Sequence, residues 1–447
     1  MESTIKSVLI KKKVNETPLK ILFQSWIMIP HSYAVVNCFQ LIHLYKNYGP
    51  DGKIHRNKII FYVEEMPYYR SDWNDTKKLV YNKEYNDILL NFPKYNGETV
   101  DLIYRLMYPY NITIDNKNVN IPKCIFYTSE FRDYLTMDYF VINVPNNIKL
   151  NDNYIENYLE KFNNIYFTSP SDWSSKGMVK YSIPTNRNRV ITHGVDSSIF
   201  KMDKTNRKNI REKYNIKDTD ILCLCIGAMT TNKGIILILQ ILNVLVHQLK
   251  KSNYKLLLKG TGDLYQCKLF LEKYFEDIVQ AGAITQLEMD NLYNNNIIFT
   301  EKTLGYNVMN DLYNSADLYL APYLAEGFCL VPLECLAAGC DVLLPQTGST
   351  KEYAEDIYNN GGSEYIHYTN SKVIQLENGM CQNSIELQDL LNTILLFESK
   401  LQVRRNTSDS RNYIKMKEYI EKEYSWNKVS ELMVDYFEDI IYHKLLD

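Results

Sequence analysis

The stretch from Asp317 to Tyr353, DLYLAPYLAEGFCLVPLECLAAGCDVLLPQTGSTKEY, constrains the fold more than any other. Asp317 to Tyr323 is an apolar, aromatic-rich run of strand length, broken by the acidic turn Ala325-Glu326-Gly327. A short helix is expected from Pro332, because proline suits a first helical turn, and Gly339 stops it. A second apolar run follows. Strand, short helix and strand in this order make a parallel α/β unit. The reading puts Glu326 on the loop past the strand and Glu334 in the helix's first turn. Both then stand at the carboxyl edge of a sheet, where open α/β sheets bind ligands, and free backbone N–H groups from Gly327 onward face the same space.

The same alternation fills the chain. Leu19 to Ile27 reads as a first strand, and SYAVVNCFQLIHLYKN after it as a helix capped by Ser32. Strand-like runs follow at Lys58 to Glu64, Val100 to Met107, Lys123 to Thr128 and Asn164 to Thr168. A second series begins with the strand Ile221 to Ala228 and a helix from Gly234 to Leu249, then adds Tyr254 to Lys259, Ile297 to Glu301 and a helix from Asn307 to Ser315. The opening stretch completes that sheet, residues 355 to 385 read as a variable loop, and helices follow from Ser384 to Phe397 and from Arg411 to Tyr442. A chain of 447 residues exceeds one core, so two doubly wound domains are expected.

Bulk charge narrows the partners. With 50 basic against 53 acidic residues, nothing favours bulk nucleic-acid binding, and any anion site must be local. Nine cysteines without a CxxC pair read as reduced, buried thiols, so a reducing compartment, the cytoplasm, is expected. The apolar runs are too short to span a bilayer. The start MESTIKSVLIKKKVNE has no cleavable apolar core; its Lys11-Lys12-Lys13 run is a solvated tail with a peripheral membrane contact as the alternative.

Glu326 and Glu334 are separated by seven residues and framed by GF and LxxLAAG, an arrangement that resembles the E-x7-E signature of glycosyltransferase family 4. The stretch Ile165 to Phe200, ending in HGVD, resembles that family's domain junction, and EYSWNKVSELMVDYFEDIIY its closing segment. The resemblance covers roughly Leu19 to Tyr442. It implies the GT-B fold: two Rossmann-like domains, residues 1–193 on the acceptor side and 194–420 on the donor side, facing a cleft, with residues 421–447 a helix at Trp426 returning to the first domain. It also implies a retaining transfer from a nucleotide diphosphate sugar to a hydroxyl of a glycan, protein or lipid acceptor, with neither metal nor cofactor.

The resemblance assigns roles as well. Glu334 would hold the donor ribose, while Glu326 and the backbone of Gly327, Phe328, Cys329 and Leu330 would meet the sugar and diphosphate. Lys233 matches the family's diphosphate lysine, but Ala228 stands where the family has an arginine, leaving Lys259 as the replacement cation and Gly260 as a point of close approach. Pro30-His31-Ser32 replaces the family's glycine-bearing loop, so His31, with His193 at the junction, is a cleft candidate. These departures keep open a degenerate member that binds a nucleotide sugar or a partner without turnover. A nicotinamide-dependent dehydrogenase is disfavoured because no GxGxxG follows the first strand. The triplet Asp218 to Asp220 looks like a metal-binding DxD but precedes a strand instead of following one.

Overall fold

The computed structural model describes residues 17–54, 58–76, 78–79, 81–114, 116–142, 151–407 and 411–443. The Lys11-Lys12-Lys13 run lies outside them. Two sheets of six strands organise the chain. The first contains β1 (Leu19–Ser25), β2 (Ile59–Glu65), β3 (Leu102–Leu106), β4 (Lys123–Phe126), β5 (Ile165–Ser169) and β6 (Asn188–Val190), in the order β2-β1-β3-β4-β5-β6. The second contains β7 (Ile221–Ile226), β8 (Tyr254–Lys259), β9 (Ile297–Thr300), β10 (Leu318–Leu320), β11 (Asp341–Pro345) and β12 (Ile366–Thr369), in the order β9-β8-β7-β10-β11-β12. Every pairing in both sheets is parallel.

Parallel sheets need cover on both faces, and the central strands are buried along their whole length. In β7 the faces separate by strand period: Leu222, Leu224 and Ile226 enter one apolar core, and Ile221, Cys223 and Cys225 the other. All nine cysteines are free thiols, and all but Cys329 are buried. No helix among the described residues is long and apolar enough to cross a membrane.

Eight helices matter for the cleft and its supports: α1 (Ser32–Tyr48), α2 (Ile235–Asn243), α3 (Tyr306–Ser315), α4 (Leu330–Ala337), α5 (Ser349–Ile357), α6 (Leu387–Asn406), α7 (Tyr413–Glu423) and α8 (Trp426–His443). Some depart from the sequence reading. Helix α1 is capped by His31, whose Nδ1 accepts from the Tyr33 amide at 3.1 Å, and Ser32 is already helical. Helix α4 begins at Leu330, ahead of Pro332, so Glu334 lies in its second turn. The proline still sits among the first four amides, where a missing N–H costs nothing. Residues 355 to 385 are not one loop. They include β12 and an antiparallel pair, Lys372–Gln375 with Cys381–Ser384. Strand β12 is hard to read because it carries His367, buried through a 2.8 Å contact between its Nε2 and Asp341 Oδ1.

The closing helix α8 packs on α1 of the first sheet. Asn427 Oδ1 lies 2.9 Å from His43 Nδ1 and accepts from Asn47 at 3.1 Å. Trp426 is buried and stacks on Phe39, centroids 5.4 Å apart and planes within 5°. Replacing an enclosed tryptophan leaves a cavity that rigid neighbours fill only in part. Trp426→Ala should therefore lower unfolding stability by about 3–5 kcal/mol, measured by denaturant titration.

Candidate active site at the facing sheet edges

In each sheet the strand order reverses beside one early strand, β1 in the first and β7 in the second. The crevice at such a reversal is where open sheets take ligands. The loops there carry backbone strain. Met28 after β1, Met229 after β7 and Cys329 after β10 have φ of 60°, 54° and 64°, conformations costing non-glycine residues on the order of 1 kcal/mol or more each.

The loop after β7 is fixed against the end of β10. Gly234 has φ +70°, and a Cβ there would stand 2.3 Å from the Pro322 carbonyl oxygen, so glycine is required twice over. Asn232 binds the loop after β10: its carbonyl accepts from the Leu324 amide at 2.8 Å, and its side-chain amide donates to the Ala325 carbonyl at 3.0 Å. Lys233 is thereby aimed at Glu326, and the two form a short ion pair. The ammonium also lies 5.0 Å from the centre of the Tyr323 ring. Burial opposes the lysine's charge, but the Glu326 carboxylate, with Cys329 and Glu130 behind it, holds its pKa above the ordinary value.

The next residues of the loop meet the first domain. Gly327's carbonyl accepts from Ser171 Oγ at 2.6 Å and Ser174 Oγ at 3.1 Å, and a Cβ on Gly327 would collide with Thr128 Oγ1 at 1.8 Å. Phe328 is buried against Tyr353 and His193, and Leu330 packs into the core as the first residue of α4. Both side chains pack into the protein, and it is their backbone that the sequence reading placed at the sugar and diphosphate. No described residue accepts from the amides of Gly327, Phe328 or Cys329. Three unbonded N–H groups before a helix make an anion-ready loop.

Glu334 is buried, and Tyr313 donates to its Oε2 at 2.6 Å. Burial raises its pKa to about 7 against the pull of that hydrogen bond. The described residues offer Oε1 no donor. Glu334 thus keeps one acceptor for a ligand hydroxyl.

The remaining candidates divide. His31 is enclosed by Trp26, Tyr33, Trp73 and, from the other domain, Tyr265. His193 packs on Phe126, Phe328 and Trp426, and its Nδ1 is buried without a partner. Burial lowers the pKa of each to about 3, so both are neutral rings at the domain junction. Lys259 is buried at the end of β8, where its charge is felt at Cys267. The room beside Gly260 is taken by Cys267, whose Cβ would lie 2.6 Å from an added Cβ, so this glycine admits protein and not a ligand. Ala228 offers no cation; its carbonyl accepts from the Cys267 thiol at 3.3 Å. Asp218 to Asp220 precede β7, at the opposite edge, where Asp220 accepts from the Lys217 amide at 2.8 Å. Among the described residues no group of three or more histidines, cysteines or carboxylates could hold a metal ion.

Glu130 escaped the sequence reading. It follows β4 of the first domain and accepts from Asn232 of the second at 3.2 Å. Its side chain is exposed. Partial desolvation, then repulsion from Glu326, raises its pKa against the attraction of Lys233. Its only sequence signal was a place just past a strand, which many surface acids share. Ser349 was missed too: its hydroxyl donates to the Glu326 carbonyl at 2.6 Å.

Residues 206–363 match the family described as Glycosyl transferases group 1. That segment contains Lys233, Glu326 and Glu334. The chain is 25% identical over 174 residues to an uncharacterized glycosyltransferase of Methanocaldococcus jannaschii, covering 38% of this chain and 40% of that protein. It is 26% identical over 192 residues to a lipopolysaccharide 1,2-N-acetylglucosaminetransferase of Salmonella typhimurium, covering 40% of this chain and 44% of that one. Each match thus spans less than half of the relative. A glycosyltransferase from Rickettsia africae has the same fold over 95% of this chain and 99% of its own, with a TM-score of 0.59 at 14% identity. Anabaena HepE, solved with UDP-glucose, follows over 93% and 98% with a TM-score of 0.57 at 13% identity. The fold is GT-B, and the likeness to the group 1 family lies in residues 206–363.

The carboxyl group of Glu334 makes a pH prediction independent of ligands. A carboxyl whose folded pKa lies above its unfolded value of 4.5 binds more protons folded than unfolded, so its contribution is full below pH 4.5 and is lost as pH rises through about 7. Glu334→Gln removes that loss. Relative to its effect at pH 4, the variant should gain up to about 3 kcal/mol at pH 8. Denaturant titrations at the two pH values check this.

Proposed function

We propose that the protein is a retaining glycosyltransferase, moving a sugar from a nucleotide diphosphate sugar to an acceptor hydroxyl. The observation that carries this is the Lys233–Glu326 pair at a sheet's switch point, beside three unbonded amides, inside the segment that matches the group 1 family. Diphosphate is the ligand such a place suits, because an ammonium and oriented N–H groups both favour anions.

In this mechanism the bond from the sugar's anomeric carbon to the diphosphate oxygen breaks. The acceptor oxygen bonds to that carbon on the same face, and its proton passes to the departing phosphate. No side-chain nucleophile is needed. Lys233 and the amides of Gly327 to Cys329 stabilise the charge that grows on the leaving diphosphate. Glu326 holds Lys233 in place and faces the positive charge that develops on the sugar. The open oxygen of Glu334 accepts from the ribose hydroxyls. The residues assigned to the leaving group supply cationic stabilisation themselves, so the reaction as proposed uses neither metal nor cofactor. The free thiols are consistent with a cytoplasmic enzyme. The acceptor, whether glycan, protein or lipid, enters from the first domain's side.

Two observations favour binding without turnover: Ala228 supplies no cation, and both Glu326 and Glu130 already act on the charge of Lys233. A donor screen separates the readings. A ligand at ~100 times its dissociation constant adds about 2.7 kcal/mol of stability, enough to see as a melting shift. UDP sugars come first, since HepE was solved with UDP-glucose. A donor that binds but is never hydrolysed or transferred supports the binding-only protein, and no binding of any nucleotide sugar sinks the transferase and favours a partner-binding role.

With a donor in hand, steady-state kinetics test the roles. Glu326→Gln should lower kcat by roughly ten- to a thousandfold, about 1.4 to 4 kcal/mol of barrier. Glu334→Gln should chiefly raise the donor KM, because ribose binding changes little between ground and transition states. Lys233→Ala should lose turnover and nucleoside diphosphate affinity together. Activity should survive EDTA; loss on chelation with rescue by manganese would refute the metal-free mechanism.

A further inference from the structure

Tyrosines collect at the carboxyl edge of the first sheet, on the side that faces Lys233 and Glu326. Tyr69 follows β2, Tyr108 follows β3, and Tyr139 lies in the connection that leaves β4. Tyr108 meets Tyr69 at 5.1 Å and Tyr139 at 6.1 Å between ring centres, at 70° and 80°, so the three form a corner and not a stack. Tyr69 is 58% exposed, and the other two are half-buried. Among the described residues their hydroxyls have no hydrogen-bond partner, and the same holds for Tyr265, which comes from the second domain and packs on His31. Glu130 stands among these rings. Its carboxylate leaves the β4 connection, is exposed, and makes its charge felt at Tyr110, Tyr139 and Tyr265. Through Asn232 it touches the loop that carries Lys233. Cations of the same loops already hold acids of their own: Arg70 donates to Asp72 at 3.0 and 2.6 Å, Arg132 lies 3.0 Å from Asp133, and Lys78 lies 3.3 Å from Glu65.

We propose that this tyrosine corner seats the acceptor, and that the acceptor is an uncharged sugar ring, its C–H face against the tyrosines and its hydroxyls on Glu130 and the open phenols. The proposal rests on the transferase reading of the cleft. A sugar ring has an apolar face and a rim of hydroxyls, and this lining offers a counterpart to each. Polarised C–H groups suit the negative face of an aromatic ring. A carboxylate takes hydroxyl donors in charge-assisted bonds, the stronger kind. A lipid chain laid here would strip water from a carboxylate and several phenols and return no hydrogen bond. A phosphate on the acceptor would meet the charge of Glu130. Position agrees with chemistry: Glu130 adjoins the loop of Lys233, so a ring bound to it lies beside the donor sugar that Glu326 faces. Clustered exposed rings next to a reaction site are also what a binding groove presents.

Saturation-transfer NMR on the full chain tests the seat, with the methyl glycosides of glucose, galactose, mannose and N-acetylglucosamine as probes. At least one should bind saturably, on the order of tenfold more weakly in Glu130→Ala and severalfold more weakly in Tyr108→Leu. Glu130 is exposed, so its truncation leaves the core intact and keeps the test decisive if Tyr108→Leu fails to fold. No saturable binding of any glycoside, or binding indifferent to both variants, overturns the seat. Binding lost in Glu326→Gln and kept in Glu130→Ala puts the ring in the donor subsite, which also overturns it. With a donor identified, both variants should raise the acceptor KM and leave the donor dissociation constant unchanged, a split that a general loss of structure does not give. Transfer to a lipid phosphate in vesicles or to an unglycosylated polypeptide, with none to a glycoside, overturns the sugar assignment. If nucleotide sugars bind and no glycoside does, the seat fails and the transferase reading stands. If glycosides bind and no nucleotide sugar does, the transferase reading fails and takes the acceptor role with it.

Discussion

A lysine drawn into a protein interior must have its charge met there, and the cleft is arranged around how Lys233 is met. Desolvating an ion costs several kcal/mol, recovered only by good geometry, and removing one partner of such a pair costs more than the pair is worth. The geometry here comes from the backbone. Gly234 lets α2 start against Pro322, Asn232 stitches the two loops, and Ser349 holds the Glu326 carbonyl. The pair is consequently rigid before any ligand arrives. A site that stabilises developing charge works best when its groups are already in place.

The same loop joins the domains. Gly327 has no room for a side chain because Thr128 fills the space, and two serines of the first domain bind its carbonyl. Glu352 of α5 accepts from the amides of Asp172 and Trp173 at 2.8 and 2.7 Å, a second bridge across the cleft. On the far side the Val195 amide donates to the Tyr424 carbonyl at 2.7 Å, where the chain turns back toward the first sheet. This arrangement brings Glu130 to Asn232 and Glu326. Any ligand that separates the domains would alter the surroundings of Glu130 first, since its neighbours belong to the other domain.

Much of this was legible in the sequence. Long apolar runs alternating with amphipathic segments give parallel sheets whatever the details, and the strands given a range in the sequence start within a residue or two of it. The spacing of Glu326 and Glu334 survived the error over where α4 begins, because both belong to the strand-loop-helix unit. What failed depended on contacts distant in sequence. His31 caps α1 because its ring is pinned among aromatic neighbours, including Tyr265 from the other domain. Strand β12 hides its polar residue by pairing His367 with Asp341. The glycine at 260 makes way for Cys267, a neighbour that no local pattern announces. Glu130 gains its character from Lys233 and Glu326, about one hundred and about two hundred positions away along the chain.

The second sheet also places its charges unevenly. At the amino ends of β10 and β11, Asp317 and Asp341 are buried and each draws several cations from α6, from the segment before α7 and from the helical turns near Arg207. Each carboxylate has about four acceptor positions, so a single partner would leave most of them unmet in a dry environment. Multiple partners moor those segments to the sheet. At the carboxyl ends the backbone is instead strained at Met229 and Cys329, and three amides stand unbonded. Unmet donors and strain persist only where the surrounding structure holds them. The many-partnered amino edge supplies that support, which allows the carboxyl edge of the same strands to keep groups unsatisfied until a ligand reaches them.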